Sequence, residues 1–202
     1  MKYRKYLNIV LFIIIMYYWL AMFFEWSDNM LGAKGISSLK YFTVLSNLFE
    51  ALSCLIWLVK KDERIKYIAS VSVGLTFFTV MLFMGPVFGY NIMFIGSNFW
   101  FHLVVPIVAI LEVIFLNRET FSYKDNMYSV VPMLVYGVFY VGNVLINGVG
   151  QWPHTNDWYG FFAWGYEGAV AAVLIIVLAT YFIGFAIRRL NNKYNNFVNN
   201  RH

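Results

Sequence analysis

Six apolar stretches, at residues 7–24, 39–59, 65–84, 99–116, 127–146 and 165–187, alternate along this chain with short polar segments. Each contains 18 to 23 residues, which at ~1.5 Å per residue makes roughly 27–35 Å of helix, enough to cross a hydrocarbon layer of ~30 Å. The pattern predicts an all-α integral membrane protein, a bundle of six transmembrane helices within residues 1–190, followed by a polar cytoplasmic tail over 191–202. That tail, rich in asparagine, is expected to project as a frayed helix end.

The second stretch breaks the apolar pattern. In LKYFTVLSNLFE, Thr43, Ser46, Asn47 and Glu50 stand at i, i+3, i+4 and i+7, which places them on one helical face over two turns. Such residues bond to their own backbone or tie helices together, but a glutamate in the same stripe points to a polar interior.

Composition agrees with the membrane reading. The 202 residues are 61% hydrophobic and 12% charged, and the mean hydropathy of +0.64 is more than one soluble core of this size can hide. The first stretch follows Lys2, Arg4 and Lys5 but ends without a small-x-small cleavage pattern, so a retained helix is expected rather than a signal peptide.

A net charge of +5 raises the question of nucleic acid, yet the basic residues lie in clusters beside apolar stretches rather than along a soluble face. No nucleic-acid partner is expected. Thirteen of the fifteen Lys and Arg fall before the first stretch, at 60–66, at 118–124, or from Arg188 onward. All four groups share one side of a six-helix alternation, so both termini are expected to be cytoplasmic. Five of the seven tryptophans, Trp26, Trp100, Trp152, Trp158 and Trp164, belong to the opposite side as an interfacial belt. The one cysteine, Cys54, is read as packing, and neither a disulfide nor a cofactor is expected.

Polar groups converge on the aromatic side. His102, the one histidine within a predicted span, sits about one turn into the fourth stretch, and Thr43 sits at a similar depth in the second. Asn98, Asn143, Tyr166 and Glu167 complete a candidate pocket with Ser46, Asn47 and Glu50. Glu112, roughly 15 Å below His102, is read as structural. A hydroxyl becomes a nucleophile when a nearby base takes its proton, and imidazole titrates near neutrality. Thr43 with His102 therefore points to acyl transfer, with Asn47 or Asn143 as oxyanion donor.

The motifs Tyr-Phe-Thr-Val-Leu-Ser-Asn-Leu at 41–48, Phe-His-Leu-Val-Val-Pro at 101–106 and Asp-Trp-Tyr-Gly-Phe-Phe at 157–162 resemble those of the androgen-induced protein family and its bacterial relatives. The likeness covers nearly the whole chain, with the amino-terminal part and 147–164 loosely matched. It implies six spans with cytoplasmic ends and hydrolysis of fatty acid esters of hydroxy fatty acids. By the same resemblance Thr43 is the nucleophile and His102 its partner, the substrate is a lipid or fatty-acyl ester, and a bacterial cytoplasmic membrane is the expected location.

Two alternatives stand beside this one. A non-catalytic lipid or small-ligand binder or transporter would rely on Glu50 and Glu167 more than on Thr43. A metal-dependent hydrolase would use His102, His154, Asp157 and Glu167, but no H-x-x-x-H pair exists to anchor it, and no metal site is assigned.

Overall fold

The computed structural model describes residues 2–26, 34–151 and 154–200. These residues are helical or lie in connecting turns, with no strand among them. Six helical segments are long and apolar enough to cross a membrane: Lys2–Phe23, Phe42–Lys60, Glu63–Phe88, Ser97–Leu116, Tyr123–Asn147 and Phe161–Asn199. Trp152, assigned above to the aromatic belt, and the last two residues of the polar tail lie outside the described residues.

A two-residue turn joins the second span to the third. Lys61 adopts a left-handed conformation with its N–H bonded to the Trp57 carbonyl, which ends one helix. Asp62 then accepts a hydrogen bond from Ile65 N and starts the next. The third span consequently runs back along the second. It is the central helix: from Ala69 to Thr76 every residue is buried, as expected of a helix with neighbours all round.

Two spans contain a wide turn, Val80–Met84 in the third and Trp100–Val104 in the fourth, each with π-helical hydrogen bonding. The cause is in the sequence. Pro86 and Pro106 stand two residues beyond these segments, and a proline ring has no N–H and collides with the carbonyl four residues earlier, here Leu82 and His102. Widening the turn relieves the collision.

Apolar packing forms three clusters. One joins the first, second and fourth spans around Ile15, Val44, Cys54 and Phe101. A second joins Phe42 and Leu75 to Met133, Tyr140 and Ala169, and a third surrounds Tyr67, Val113 and Ile187. Outside them the helices present large apolar side chains outward, including Val138, Phe139, Ile146, Ile175 and Phe182.

Arg4 reaches Glu63 and the Leu116 carbonyl, and Asn117 bonds to Asn191. The starts of the first and third spans and the ends of the fourth and sixth therefore meet at one end, called here the basic end; the other is the aromatic end.

The tail departs from its expected form. The sixth helix continues unbroken from Gly165 to Asn199, and three of its asparagines are docked against the loop after the fourth span rather than frayed. Asn191 Nδ2 donates to Val113 O, Asn192 both donates to and accepts from the Phe121 backbone, and Asn195 donates to Glu119 O. The loop after the fourth span has backbone groups without helical partners, and amides on one face of the sixth helix supply them.

Candidate functional site

A cavity of about 340 Å³ lies at the aromatic end among the second, third, fifth and sixth spans. Phe42, Leu75, Val80, Met133 and Ile176 make most of its wall apolar, and Thr43, Thr76 and Thr79 add hydroxyls. Tyr136, Tyr140, Tyr159 and Trp164 close its aromatic side. At its floor the fifth and sixth spans approach so closely that a methyl on Gly137 would lie 2.9 Å from Val173 Cγ1.

The roof is the 157–162 segment. The Asp157 carboxylate accepts from the Phe161 and Phe162 amides, at 3.0 and 2.9 Å, and from the Tyr140 hydroxyl. Tyr159 Oη accepts from Phe42 N at 2.9 Å, satisfying a donor that the start of the second span leaves free. Tyr136 Oη donates to Lys40 O at 2.7 Å and accepts from Trp158 Nε1 at 2.9 Å. Burial pushes the Tyr159 phenol up to about 12, so it remains a neutral partner. These bonds fix the start of the second span, and with it Thr43, against the roof.

Thr43 is half-buried on the cavity wall. Its carbonyl accepts from Ser46 Oγ at 3.1 Å and Asn47 Nδ2 at 2.8 Å, whereas its hydroxyl has no hydrogen-bond partner among the described residues. Ser46 Oγ also pairs with Thr76 Oγ1 at 3.2 Å, and it lines a second groove of about 420 Å³ that shares Phe42 and Tyr136 with the cavity.

His102 is buried within the wide turn of the fourth span. Its Nδ1 lies 2.9 Å from Met93 O. A carbonyl only accepts, so in the neutral ring Nδ1 carries the proton and Nε2 keeps the lone pair, the state a general base needs. Asn47 Nδ2 donates to Phe101 O at 3.2 Å, tying the Thr43 helix to the residue before His102. No hydrogen bond joins Thr43 to His102 among the described residues, and His102 is not part of the cavity wall. The buried Oδ1 atoms of Asn47 and Asn98 are unpartnered.

The other pocket candidates lie apart from this cavity. Asn143 accepts from Asn147 at 2.9 Å, and Tyr166 and Glu167 are exposed at the start of the sixth helix. Glu50 does not line the cavity: its Oε1 is 2.5 Å from Lys66 Nζ in a separate, buried charge network. The physical reason is depth. Two turns below Thr43, the second span faces Lys66, which reaches inward from the start of the third.

That network was only partly visible in the sequence. Arg4 forms a bidentate pair with Glu63 at 2.5 and 2.6 Å and bonds Glu112 through Nε at 2.8 Å. Asn8 donates to Glu112 Oε1 at 2.6 Å, Trp57 Nε1 donates to Glu63 at 2.9 Å, and Lys66 is 3.2 Å from Glu112 Oε2. Cys54, read as packing, also receives a hydrogen bond from Lys66 at 2.9 Å. The signal for a partner is Glu50 itself, since a carboxylate in mid-span calls for a cation or a proton; Lys66 stands in the basic group at 60–66, and nothing in that grouping shows that its stem turns inward.

Asp157 is committed to the roof, and among the described residues no group of three or more His, Cys, Asp or Glu side chains is arranged to hold a metal. Comparison with family models, with curated proteins and with solved structures finds no match for this chain.

Proposed function

We propose that the protein is a multi-pass membrane protein, basic end toward the cytoplasm, that hydrolyses lipid esters through Thr43 with His102 as base. The observation that carries this reading is the unpartnered Thr43 hydroxyl on the wall of an apolar cavity whose volume, about 340 Å³, falls in the range of ligand pockets. The outward-facing apolar residues and the segregation of basic side chains support the membrane setting. The resemblance to bacterial relatives of the androgen-induced proteins supports a bacterial cytoplasmic membrane and an ester of the fatty acid–hydroxy fatty acid class.

In this mechanism an acyl chain occupies the cavity and its ester carbonyl meets Thr43. His102 Nε2 takes the Thr43 proton, the alkoxide adds to the carbonyl, and the tetrahedral oxyanion collapses with departure of the alcohol, which receives the proton from His102. A water, deprotonated by the same nitrogen, then releases the fatty acid and restores Thr43. The pair must close to hydrogen-bond distance when substrate binds, as catalytic contacts often tighten only in the complex.

A second reading, lipid binding or transport without hydrolysis, is favoured by one observation: among the described residues His102 neither lines the cavity nor makes a hydrogen bond to Thr43. A lipid-like fluorophosphonate applied to the protein in nanodiscs separates the two. Hydrolysis predicts labelling of the wild type, none in Thr43→Ala, and a fall on the order of 10²-fold or more in His102→Ala. Labelling that survives in Thr43→Ala refutes the nucleophile, and an unlabelled wild type that is still thermally stabilised by fatty acyl esters supports binding alone.

A further inference from the structure

The charge network at the basic half of the bundle contains one carboxylate more than it has cations. Its charged members are Arg4 from the first span, Glu50 from the second, Glu63 and Lys66 from the third, and Glu112 from the fourth. The Cys54 thiol also faces it. Arg4 and Glu63 satisfy each other as a bidentate pair. That leaves Lys66, fully buried, between Glu50 and Glu112, which are also buried. One ammonium serves two carboxylates.

The oxygens are unevenly supplied. Glu112 Oε1 receives Arg4 Nε and Asn8 Nδ2. Glu112 Oε2 is at ion-pair distance from Lys66 but has no hydrogen bond, and Asn8 Oδ1, buried beside the same carboxylate, has no partner either. Glu50 Oε2 has only the Ser53 hydroxyl, at 3.3 Å. With every group ionised the fully buried Glu50–Lys66–Glu112 triad would hold a net charge of −1, a state that buried sites avoid by binding a proton or a cation. A metal ion is disfavoured because the Lys66 ammonium already stands between the carboxylates. A proton needs no room.

We propose that the Glu50–Lys66–Glu112 triad is a binding site for a single proton, shared by the two carboxyls and held at neutral pH. The network reaches the surface at Arg4 and Glu63, which remain slightly exposed, so exchange takes place with water at the basic end.

Infrared spectroscopy of the full chain in phosphatidylcholine nanodiscs, with glutamate carboxyls labelled with carbon-13, tests this directly. At pH 7 the expected result is one protonated glutamate carbonyl band that shifts with the label and in deuterium oxide. Both Glu50→Gln and Glu112→Gln bring the charge count to zero without a proton, so each is expected to lose the band, whereas the surface substitution Glu25→Gln keeps it. The wild-type band is itself diagnostic if a variant fails to fold. Absence of the band in the wild type overturns the proposal, as does its persistence in both glutamine variants. Thermal stabilisation by sodium chloride but not choline chloride, with no band, overturns it in favour of a metal cation.

Discussion

The two halves of the second span bury polar groups in opposite ways. In the aromatic half, Ser46 and Asn47 are neutral and bond back to the Thr43 carbonyl one turn above them, and an open cavity lies alongside. In the basic half, Glu50 is charged or shares a proton, and Ser53, Cys54 and Lys66 crowd its carboxyl. Neutral hydroxyls and amides can satisfy themselves on their own helix and so tolerate empty space beside them. A buried carboxylate cannot, and it draws partners from other helices until the space is filled. A site for an apolar ligand can therefore persist only where the stripe is neutral.

The contrast is broken most severely by removing the ammonium. Lys66→Met leaves Glu50 without a cation and Glu112 with Arg4 alone, and is expected to cost about 3–5 kcal/mol of stability. The double variant Lys66→Met with Glu50→Met should recover more than half of that loss in chemical unfolding of detergent-solubilised protein. Failure to recover would mean that Lys66 acts through packing rather than charge.

Filling the neutral half should affect ligand binding instead. Thr79→Phe places a ring in the cavity; excluding about four methylenes of an acyl chain at ~0.8 kcal/mol each corresponds to roughly a 200-fold loss of affinity. Thermal stabilisation by fatty acyl esters measures it, and an unchanged shift would place the ligand elsewhere.

Smaller effects sharpen the boundary between the halves. Asn191→Ala removes the donor to the Val113 carbonyl and is expected to destabilise by about 1–2 kcal/mol, read from the unfolding midpoint. Thr43→Ala deletes an unpartnered hydroxyl on a cavity wall, so its stability cost should stay below about 0.5 kcal/mol while fluorophosphonate labelling is abolished. A larger loss of stability would mark Thr43 as structural.

Parts of the site were legible from particular residues. The i, i+3, i+4, i+7 spacing of Thr43, Ser46, Asn47 and Glu50 announced a common face, and Asn47 does reach another helix at Phe101. The cavity residues Thr76, Thr79, Tyr136 and Tyr140 were not anticipated, because threonine and tyrosine in apolar helices carry no signal of which neighbour they meet. By position Arg4 and Lys66 are charges at the ends of apolar stretches. Their long stems let them enter the bundle, which sequence position alone does not record. The docking of Asn191, Asn192 and Asn195 is hidden for a related reason: polar composition describes solvation, and here the hydrogen bonds are made to other parts of the chain rather than to water.

Six apolar helices, the turn at Lys61 and Asp62, the wide turns before Pro86 and Pro106, and the separation of basic from aromatic ends follow from the sequence by itself, because they depend on local hydropathy, backbone geometry and the placement of charge. The tertiary structure alone decided that Glu50 faces Lys66, that Thr43 faces a cavity and that His102 is held by Met93. Those outcomes depend on how each helix is rotated and how deeply it is set against its neighbours, which is determined by packing across the bundle rather than by any one segment.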